Sequence, residues 1–242
     1  MSLVEFRDVS YEIAGKLVLD RVSFEVQAGE TLVLLGRSGS GKTTALKLTN
    51  GMLMPTRGQV LVEGRPTAQW DPIRLKRRIG YVIQDAGLFP HFTVGANVGL
   101  VPKLEGWDAA RIRERVDQLL AQVSLPPGEF RSRYPSQLSG GQRQRVGVAR
   151  ALAADPSILL FDEPFGALDP ITRAELQRQF LALRRDFAKT SLFVTHDVRE
   201  AVRLGTRIAL LRAGSLETIA APDAFRLSET PEARAFLSVL ED

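Results

Sequence analysis

The sequence contains no cysteine in its 242 residues, and this absence excludes disulfides, thiolate metal sites and thiol catalysis. It also has no apolar run near the ~18–20 residues of a membrane-spanning helix. The longest runs, Leu32–Leu35 and Ile158–Phe161, are only as long as strands. Residues 1–8 carry charged side chains and no hydrophobic stretch, so we expect no secretory signal peptide. These absences together favour a cytosolic location.

A large excess of one charge is missing too. Lysine and arginine number 32 against 28 acidic residues, which gives a formal net charge of +4. The tightest basic cluster, residues 74–78, is more typical of a solvated helix face than of a nucleic-acid or lipid contact. With 44% hydrophobic and 25% charged residues, the chain has the composition of an ordinary globular protein with a full core.

The order of the predicted elements indicates an α/β core with a helical subdomain. Partial alternation at Val4–Val9 and Val22–Val26 predicts antiparallel strands, and the continuous apolar run Thr31–Leu35 predicts a strand buried on both faces. Between about residues 88 and 155 the spacing becomes mostly helical. The other predicted elements are strands Gln59–Val62, Ile79–Gln84, Ile158–Phe161, Leu192–Thr195 and Arg207–Arg212, and helices Lys42–Asn50, Arg111–Val123, Gln142–Ala154, Thr172–Phe187, Asp223–Leu227 and Pro231–Leu240.

Residues 36–43 match the phosphate-loop pattern G-x-x-x-x-G-K-S/T, between a predicted strand and a predicted helix. The glycines let the backbone curl so that N–H groups point at phosphate oxygens, and the following helix directs its N-terminus at the same oxygens. Lys42 supplies a full charge for the β- and γ-phosphates, and the Thr43 hydroxyl can bind Mg²⁺. The predicted nucleotide-binding residues are Gly36, Arg37, Ser38, Gly39, Ser40, Gly41, Lys42, Thr43 and Thr44.

Two carboxylates follow the predicted strand Ile158–Phe161, at the strand end where open α/β sheets bind their ligands. Asp162 is suited to hold Mg²⁺, directly or through water, and Glu163 can face the attacking water as the general base. For the pair alone, the alternative is a solvated acidic strand end. A phosphate loop in the same chain favours the functional interpretation.

A third motif, Leu138-Ser139-Gly140-Gly141-Gln142, opens a predicted helix with small residues. Backbone N–H groups and a serine hydroxyl at a helix start can bind an anion. Ser139 is equally a good N-cap residue, so helix capping is the alternative interpretation of this motif.

The three motifs, in this order, resemble those of the ATP-binding subunits of ABC transporters, and the resemblance covers about residues 3–242. It implies a fold of the ABC ATPase type, with a P-loop NTPase (RecA-like) α/β core, an antiparallel β subdomain and a helical subdomain at about residues 88–155. The signature residues of this family correspond here to Ser139, Gly140, Gly141 and Gln142, which would face the ATP of a partner subunit.

Further positions acquire roles through this resemblance alone. Gln84 matches the Q-loop glutamine, which contacts Mg²⁺ and senses the permease, and His196 matches the switch histidine, which contacts the γ-phosphate. Residues 166–169 match the D-loop, with Gly166 where serine is commoner. The implied catalytic residues are Glu163, His196 and Gln84, and the implied Mg²⁺ ligands are Thr43, Gln84 and Asp162. The position of the family's adenine-stacking aromatic falls on Ile13, with Tyr11 two residues away, and stays unassigned between them.

Gln84–Val94 and Leu100–Trp107 resemble a narrower group, the ATPase subunits of osmoprotectant importers. Within the first stretch we interpret His91 as part of a contact surface, while composition slightly favours a core position for Phe89 and Phe92. Several members of this group carry paired CBS modules after the ATPase domain. Since the sequence stops at Asp242, we expect none here.

The resemblance implies an ATPase that uses ATP and Mg²⁺ to power a membrane importer for osmoprotectants such as glycine betaine or choline. It would act as a peripheral homodimer on the cytoplasmic face of the membrane, with transmembrane permease subunits and, indirectly, an extracytoplasmic solute-binding protein. No nucleic-acid partner is expected.

Three alternatives stay open in the sequence. One is an importer ATPase for another small solute, of the amino acid, sulfonate or nitrate class. A soluble P-loop kinase would leave the signature motif and His196 unexplained. A chromosome- or repair-type ATPase would need a coiled coil between Lys42 and Ser139, which lie 97 positions apart with no heptad run between them.

Overall fold

The computed structural model describes residues 1–166, 168–187 and 189–241, without the side chains of residues 183–187 and 241. The chain divides into two compact units. The first consists of residues 1–76 together with the segment that starts at Lys189, and the second is the intervening part that starts at Arg77. Among the described residues, no helix is both long and apolar enough to cross a bilayer.

Strands and helices are numbered here in chain order. The strands are β1 (Ser2–Ile13), β2 (Lys16–Gln27), β3 (Thr31–Leu35), β4 (Arg57–Val62), β5 (Arg65–Pro66), β6 (Ile79–Val82), β7 (Ile158–Asp162), β8 (Thr190–Thr195), β9 (Arg207–Arg212) and β10 (Ser215–Ala220). The α-helices are α1 (Lys42–Thr49), α2 (Pro72–Arg78), α3 (Val94–Val98), α4 (Leu100–Leu104), α5 (Ala109–Gln122), α6 (Pro127–Phe130), α7 (Gly140–Leu152), α8 (Pro170–Phe187), α9 (Val198–Leu204), α10 (Pro222–Arg226) and α11 (Pro231–Glu241). Short 3₁₀ helices span Thr67–Gln69 and Pro135–Gln137.

The first unit contains an antiparallel sheet with the strand order β2-β1-β4-β5. A tight turn at Ala14 and Gly15, both with positive φ, joins β1 to β2. Such a turn matches the twist of the strands on either side of it. Phe6 and Phe24 are paired across these strands and their rings stack with centroids 4.4 Å apart, so the alternating apolar positions bury one face of the sheet.

A second set of strands in this unit positions the phosphate loop. β3 pairs in parallel with both β8 and β9, and β10 pairs antiparallel with β9. Every residue of β3 and of β8 is buried. Parallel strands covered on both faces are continuously apolar. The apolar run Thr31–Leu35 therefore correctly predicted a strand that is buried on both faces.

The second unit is built around a parallel strand pair and the helices between the two strands. β6 and β7 pair in register from Ile79 opposite Ile158 to Val82 opposite Phe161. The helices α3 to α7 lie between them in sequence. α5 begins where the Asp108 carboxylate accepts a hydrogen bond from the Arg111 N–H at 2.8 Å, and its buried stripe follows the predicted spacing.

Several elements differ from the sequence prediction. The strand predicted to reach Gln84 ends at Val82, because the chain turns sharply at Ala86 and Gly87, which both have positive φ. α7 begins at Gly140, two residues before the predicted start. β10 and α9 are missing from the prediction: β10 has little alternation between buried and exposed positions, and α9 is only seven residues long. The predicted bounds of the helical subdomain stay a prediction.

Candidate functional site

The loop between β3 and α1 is shaped by close packing around its glycines. A side chain at Gly36 would place its Cβ 2.4 Å from the Leu211 carbonyl oxygen, and one at Gly41 would lie 2.5 Å from Leu19 Cδ2. Gly41 is also left-handed, with φ +98°, a conformation that other residues rarely adopt. The loop therefore requires glycine at both positions in order to curl between the strand and the helix.

The Lys42 ammonium fastens this loop from within. Its Nζ donates to the carbonyl oxygens of Gly36 and Arg37, each at 2.8 Å, and only 4% of the residue is exposed. The Ser40 N–H donates to the Arg37 carbonyl oxygen at 3.2 Å. A buried positive charge thus lies inside a ring of backbone at the start of α1, as an anion site requires.

Ser40 provides a direct test of the fit to a phosphate. The residue is 4% exposed, and within the described part of the chain its Oγ has no hydrogen-bond partner. A buried hydroxyl without a partner costs about 1–3 kcal/mol, so such groups usually meet a ligand or water. A phosphate oxygen is an acceptor that this hydroxyl could satisfy.

His196 lies in the same unit, directly after β8. The Thr195 hydroxyl donates to Glu200 Oε2 at 2.6 Å and accepts from the Asp197 N–H at 3.0 Å. Asp197 in turn caps α9 through the Arg199 N–H at 2.8 Å. These contacts fix the backbone on both sides of His196, whose side chain is exposed.

His196 and the phosphate-loop residue Arg37 line one open cleft of about 430 Å³. The opposite wall of the cleft belongs to α11, where Phe236 and Val239 face it. Arg37 Nε also contacts Glu232 Oε1 of α11 at 2.6 Å. The first unit therefore brings two of the predicted site regions together, and α11 is a neighbour that the sequence did not predict.

The second unit holds the predicted carboxylates. The Tyr81 hydroxyl on β6 donates to Asp162 Oδ2 at 3.1 Å. Burial and the Asp162 carboxylate both raise the pKa of Tyr81, so the phenol stays protonated and remains a donor. Glu163 is left-handed at φ +46°, a strained backbone that directs this residue away from the line of the strand.

The side chains of Gln84 and Glu163 both lie near Gly166. A Cβ added at Gly166 would lie 3.4 Å from Gln84 Nε2 and 3.8 Å from Glu163 Oε2. The second unit thus brings the predicted Q-loop amide and the predicted general base close together. In the predicted D-loop, Ala167 lies outside the described residues. Asp169 caps α8, and hydrogen bonds from Thr172 lower the pKa of Asp169.

The signature residues form a capping box at the start of α7. Ser139 Oγ accepts from the Gln142 N–H at 3.3 Å, and Gln142 Oε1 accepts from the Ser139 N–H at 2.9 Å. The capping interpretation of Ser139 is therefore correct as far as structure goes. A Cβ at Gly141 would lie 2.4 Å from Thr172 Cγ2, so this glycine allows α7 and α8 to approach.

The loop after Gln84 carries an exposed aromatic cluster. Phe89 is 42% exposed and packs against Phe92 with centroids 5.3 Å apart, so the slight preference for a core position is wrong for Phe89. The fully buried Asn97 organises this loop: it accepts from the Phe89 N–H and donates to three carbonyl oxygens of residues 89–93. Beyond α3, a groove of about 580 Å³ is lined by Trp107, Ile112 and their neighbours.

The predicted adenine platform lies at the end of β1. Tyr11 pairs with Leu19, the residue that packs against Gly41, and Ile13 is 56% exposed at the last position of the strand. The two candidates thus both lie on the strand next to β2, and β2 contacts the phosphate loop through Leu19. Neither is assigned by its contacts.

The residues predicted to bind Mg²⁺ are a hydroxyl, an amide and a carboxylate. All three offer hard oxygen donors, which suit Mg²⁺, and this ion commonly takes only one or two protein ligands beside phosphates and water. The described residues hold no group of three or more His, Asp or Glu side chains placed to bind a metal. Thr43 belongs to the first unit, and Gln84 and Asp162 to the second.

The sequence analysis missed two residues with a structural role here: Tyr81, which contacts Asp162, and Asn97, which holds the loop of residues 89–93. Tyr81 reads as an ordinary strand aromatic, and nothing in its local pattern indicates that it contacts Asp162. Asn97 lies in a short helical stretch with no polar signal around it. Both depend on contacts that only the folded chain makes.

The family model for the ABC transporter matches residues 19–166. The osmoprotectant import ATP-binding protein OsmV of Salmonella typhimurium is 50% identical over 205 residues, which cover 85% of this chain and 54% of OsmV. The glycine betaine/carnitine/choline transport ATP-binding protein OpuCA of Bacillus subtilis is 47% identical over 209 residues, which cover 86% of this chain and 55% of OpuCA. The chain thus spans about half the length of these two relatives.

Among solved structures, the dimeric post-hydrolysis state of the ATP-binding cassette MJ0796, bound to ADP and Pi, superposes with a TM-score of 0.80. The identity is 33%, and the match covers 90% of this chain and 98% of that one. This likeness confirms the predicted fold class, an α/β P-loop fold of the ABC ATPase type. The chain belongs to the ABC transporter family.

Proposed function

We propose that this chain is an ATP-hydrolysing subunit that powers a membrane importer, and that the imported solutes are osmoprotectants such as glycine betaine or choline. The observation that carries the proposal is the phosphate loop, which curls around the buried Lys42 ammonium. Within the described residues, the buried Ser40 hydroxyl of this loop has no hydrogen-bond partner. The printed functions of OsmV and OpuCA support the choice of solute class.

In the proposed reaction, water attacks the γ-phosphate in line with the leaving ADP. Lys42 and the loop N–H groups, from Gly36 to Thr44, neutralise charge on the phosphate oxygens. Glu163 takes the proton of the attacking water, and His196 holds the γ-phosphate in place. The strained backbone at Glu163 supports its role, because local strain is a common feature of catalytic positions.

Thr43, Gln84 and Asp162 are the residues we propose to hold Mg²⁺. When bound, the ion would neutralise negative charge on the phosphate oxygens. The Tyr81 hydroxyl keeps one oxygen of Asp162 in a fixed direction.

Two copies of the chain are proposed to act together, head to tail, around two ATP molecules. The residues Ser139, Gly140, Gly141 and Gln142 of one copy would then face the phosphates bound by the other. The dimeric form of MJ0796 supports this arrangement. In a symmetric dimer of this kind, the same surface serves both partners.

The remaining partners follow from the importer proposal. The exposed Phe89 cluster and the groove beside Trp107 are suited to a cytoplasmic helix of a transmembrane permease, because an apolar groove accepts an amphipathic helix. The chain would then lie on the cytoplasmic face of the membrane, with an extracytoplasmic solute-binding protein acting indirectly. We propose no role for nucleic acid.

The test is solute uptake in cells with and without this chain, at high salt. Labelled glycine betaine and choline should enter only when the chain is present, and the Glu163→Gln variant should not replace it. If both uptakes are unchanged while import of an amino acid, sulfonate or nitrate collapses, the solute class is wrong. If no uptake depends on the chain and ATP is converted to a phosphorylated product, the kinase alternative replaces the proposal.

A further inference from the structure

The turn at residues 83–87, which contains Gln84, is hydrogen-bonded to α7, the helix that carries the signature motif. At the start of the turn, Gln144 Nε2 of α7 donates to the Ile83 carbonyl oxygen at 3.2 Å. At its end, Arg150 Nη2 donates to the Ala86 carbonyl oxygen at 2.5 Å and Arg150 Nη1 to that of Gly87 at 2.7 Å. Gln84 therefore lies between two points that α7 holds.

The backbone of this turn needs an external partner. Ala86 and Gly87 are consecutive left-handed residues, with φ of +56° and +53°, and Ala86 is 2% exposed. Left-handed backbone is unfavourable for alanine, so surrounding contacts must hold it in place. Arg150 is such a contact, since it donates to the carbonyl oxygens of both left-handed residues.

The contact on α7 is a single stripe. Gln144, Gly147 and Arg150 are spaced by three residues, which places them near one face of the helix. Gly147 allows the close approach, because a Cβ built there would lie 3.3 Å from Ala86 Cβ. Burial lowers the pKa of Arg150, yet guanidinium groups keep their charge in proteins, so both hydrogen bonds are charge-assisted.

We propose that Arg150 is a positioning residue that locks the turn at residues 83–87 onto α7, so that Gln84 and the signature residues Ser139–Gln142 move as one body. Its functional consequence rests on the proposed function. There Gln84 belongs to the ATP site of its own subunit, and Ser139 faces the ATP of the partner. A rigid connection between them then transmits the state of one ATP to the site of the other, which is a coupling between sites.

The first experiment measures amide hydrogen exchange of the peptide that contains residues 83–88, in the nucleotide-free protein. In Arg150→Ala, we expect exchange at least about tenfold faster than in the unchanged chain. The matched control is Arg145→Ala. Arg145 is also a largely buried arginine of α7, but its guanidinium donates to Glu175 Oε2 at 2.9 Å and to the Val123 carbonyl oxygen at 3.4 Å, both outside the turn. In Arg145→Ala, the exchange rate of the same peptide should stay within about twofold of that in the unchanged chain.

The second experiment measures ATP hydrolysis against ATP concentration. If the dimer couples its sites, the Hill coefficient should be about 2 in the unchanged chain and about 1 in Arg150→Ala, and kcat of this variant should be lowered about tenfold. Arg150→Lys keeps the charge but cannot span two carbonyl oxygens as the planar guanidinium does, so it should be intermediate. It also replaces Arg150→Ala if that variant fails to fold.

A covalent replacement of the contact separates positioning from general stability. Because the chain has no cysteine, Ala86→Cys with Gly147→Cys creates one possible disulfide, at a Cβ separation near the usual range. Formed with diamide in the Arg150→Ala background, it should restore both slow exchange and the Hill coefficient, and dithiothreitol should reverse this. In the matched control, Arg145→Ala, the disulfide should change neither the exchange rate nor the Hill coefficient, because that variant has lost neither property.

The outcomes are distinct. Unchanged exchange in Arg150→Ala, or an equal loss in Arg145→Ala, overturns the positioning role. A disulfide that restores slow exchange but leaves hydrolysis impaired overturns the coupling. If the unchanged chain hydrolyses no ATP, the proposed function fails, and the exchange experiment alone still decides whether Arg150 holds the turn.

Discussion

Removal of the Lys42 ammonium is the sharpest test of the phosphate loop. In Lys42→Ala the loop loses the donor to the carbonyl oxygens of Gly36 and Arg37, both at 2.8 Å in the structure. It also loses the full charge that, in the proposed function, meets the β- and γ-phosphates. The glycine-shaped backbone stays, because Gly36 and Gly41 are fixed by packing against Leu211 and Leu19.

The size of the effect follows from the burial of the charge. Two unit charges about 4 Å apart attract by roughly 4 kcal/mol at an effective dielectric constant near 20. Lys42 is 4% exposed, so solvent screens little of this attraction. The backbone amides of the loop retain part of the phosphate affinity. We therefore expect a loss of about 3 kcal/mol, or a Kd for ATP raised roughly 100-fold.

The measurement is calorimetric or fluorescent titration of ATP into the purified chain. Lys47→Ala is the matched control, because Lys47 lies in the last turn of the same helix α1 and is only half-buried. It should leave the Kd within about twofold. Thermal unfolding of both variants separates weak binding from loss of fold, and Lys42→Met, which keeps the apolar stem, serves if the alanine variant is unstable.

An unchanged Kd in a folded Lys42→Ala variant would refute the reasoning, because it would mean that the buried ammonium does not meet the phosphates. An equal loss in Lys47→Ala would refute it too, since the effect would then come from α1 as a whole. Gel filtration gives a second readout: with ATP present, Lys42→Ala should stay monomeric.

Three further changes test the second unit. Glu163→Gln should keep ATP binding but lower hydrolysis by roughly 10²–10⁴-fold, and should favour an ATP-bound dimer on gel filtration; near-normal turnover would sink its assignment as the base. Phe89→Ala should leave the fold and the isolated ATPase activity intact, because Phe89 is 42% exposed, while co-purification with the permease falls; unfolding would instead mean that its packing on Phe92 supports the fold. Tyr81→Phe should lower the free energy of unfolding by about 0.5–1.5 kcal/mol in urea titration, since Asp162 loses one donor, and no change would mean that this hydrogen bond contributes nothing.

The parts of the site that the sequence predicts are those whose chemistry is contiguous in the chain. The phosphate loop needs glycines, a lysine and a threonine within eight residues, flanked by a buried strand and a helix, so pattern and context occur together. The same holds for Asp162 and Glu163 at the end of β7. In both cases the structure has the expected strand before the motif.

Contacts between distant residues leave no such pattern. Arg150 reaches the carbonyl oxygens of residues 86 and 87 from more than sixty positions along the chain, and the Tyr81–Asp162 bond spans 81 positions. A buried arginine in an amphipathic helix reads as a surface residue, and a tyrosine in a strand reads as core. The position of α11 beside Arg37 is hidden for the same reason, because Glu232 is 195 residues away.

Gly166 stands at a D-loop position where serine is commoner, and the local packing does not explain this departure. A Cβ built at Gly166 would lie 3.4 Å from the Gln84 amide nitrogen and 3.8 Å from Glu163 Oε2, which are ordinary van der Waals distances. The backbone at this position therefore has room for the first carbon of a side chain.

The two interpretations of the signature motif, helix cap and anion site, are compatible because a hydroxyl both accepts and donates. In the capping box, Ser139 Oγ accepts from the Gln142 N–H, so this bond uses an oxygen lone pair and leaves the hydroxyl proton for another acceptor. Ser139 and Gly140 are both exposed, so the start of α7 is accessible at this hydroxyl. The cap therefore orients Ser139 without using up the group that a partner's phosphate would need in the proposed function, so the observed cap and the proposed anion contact can use the same side chain.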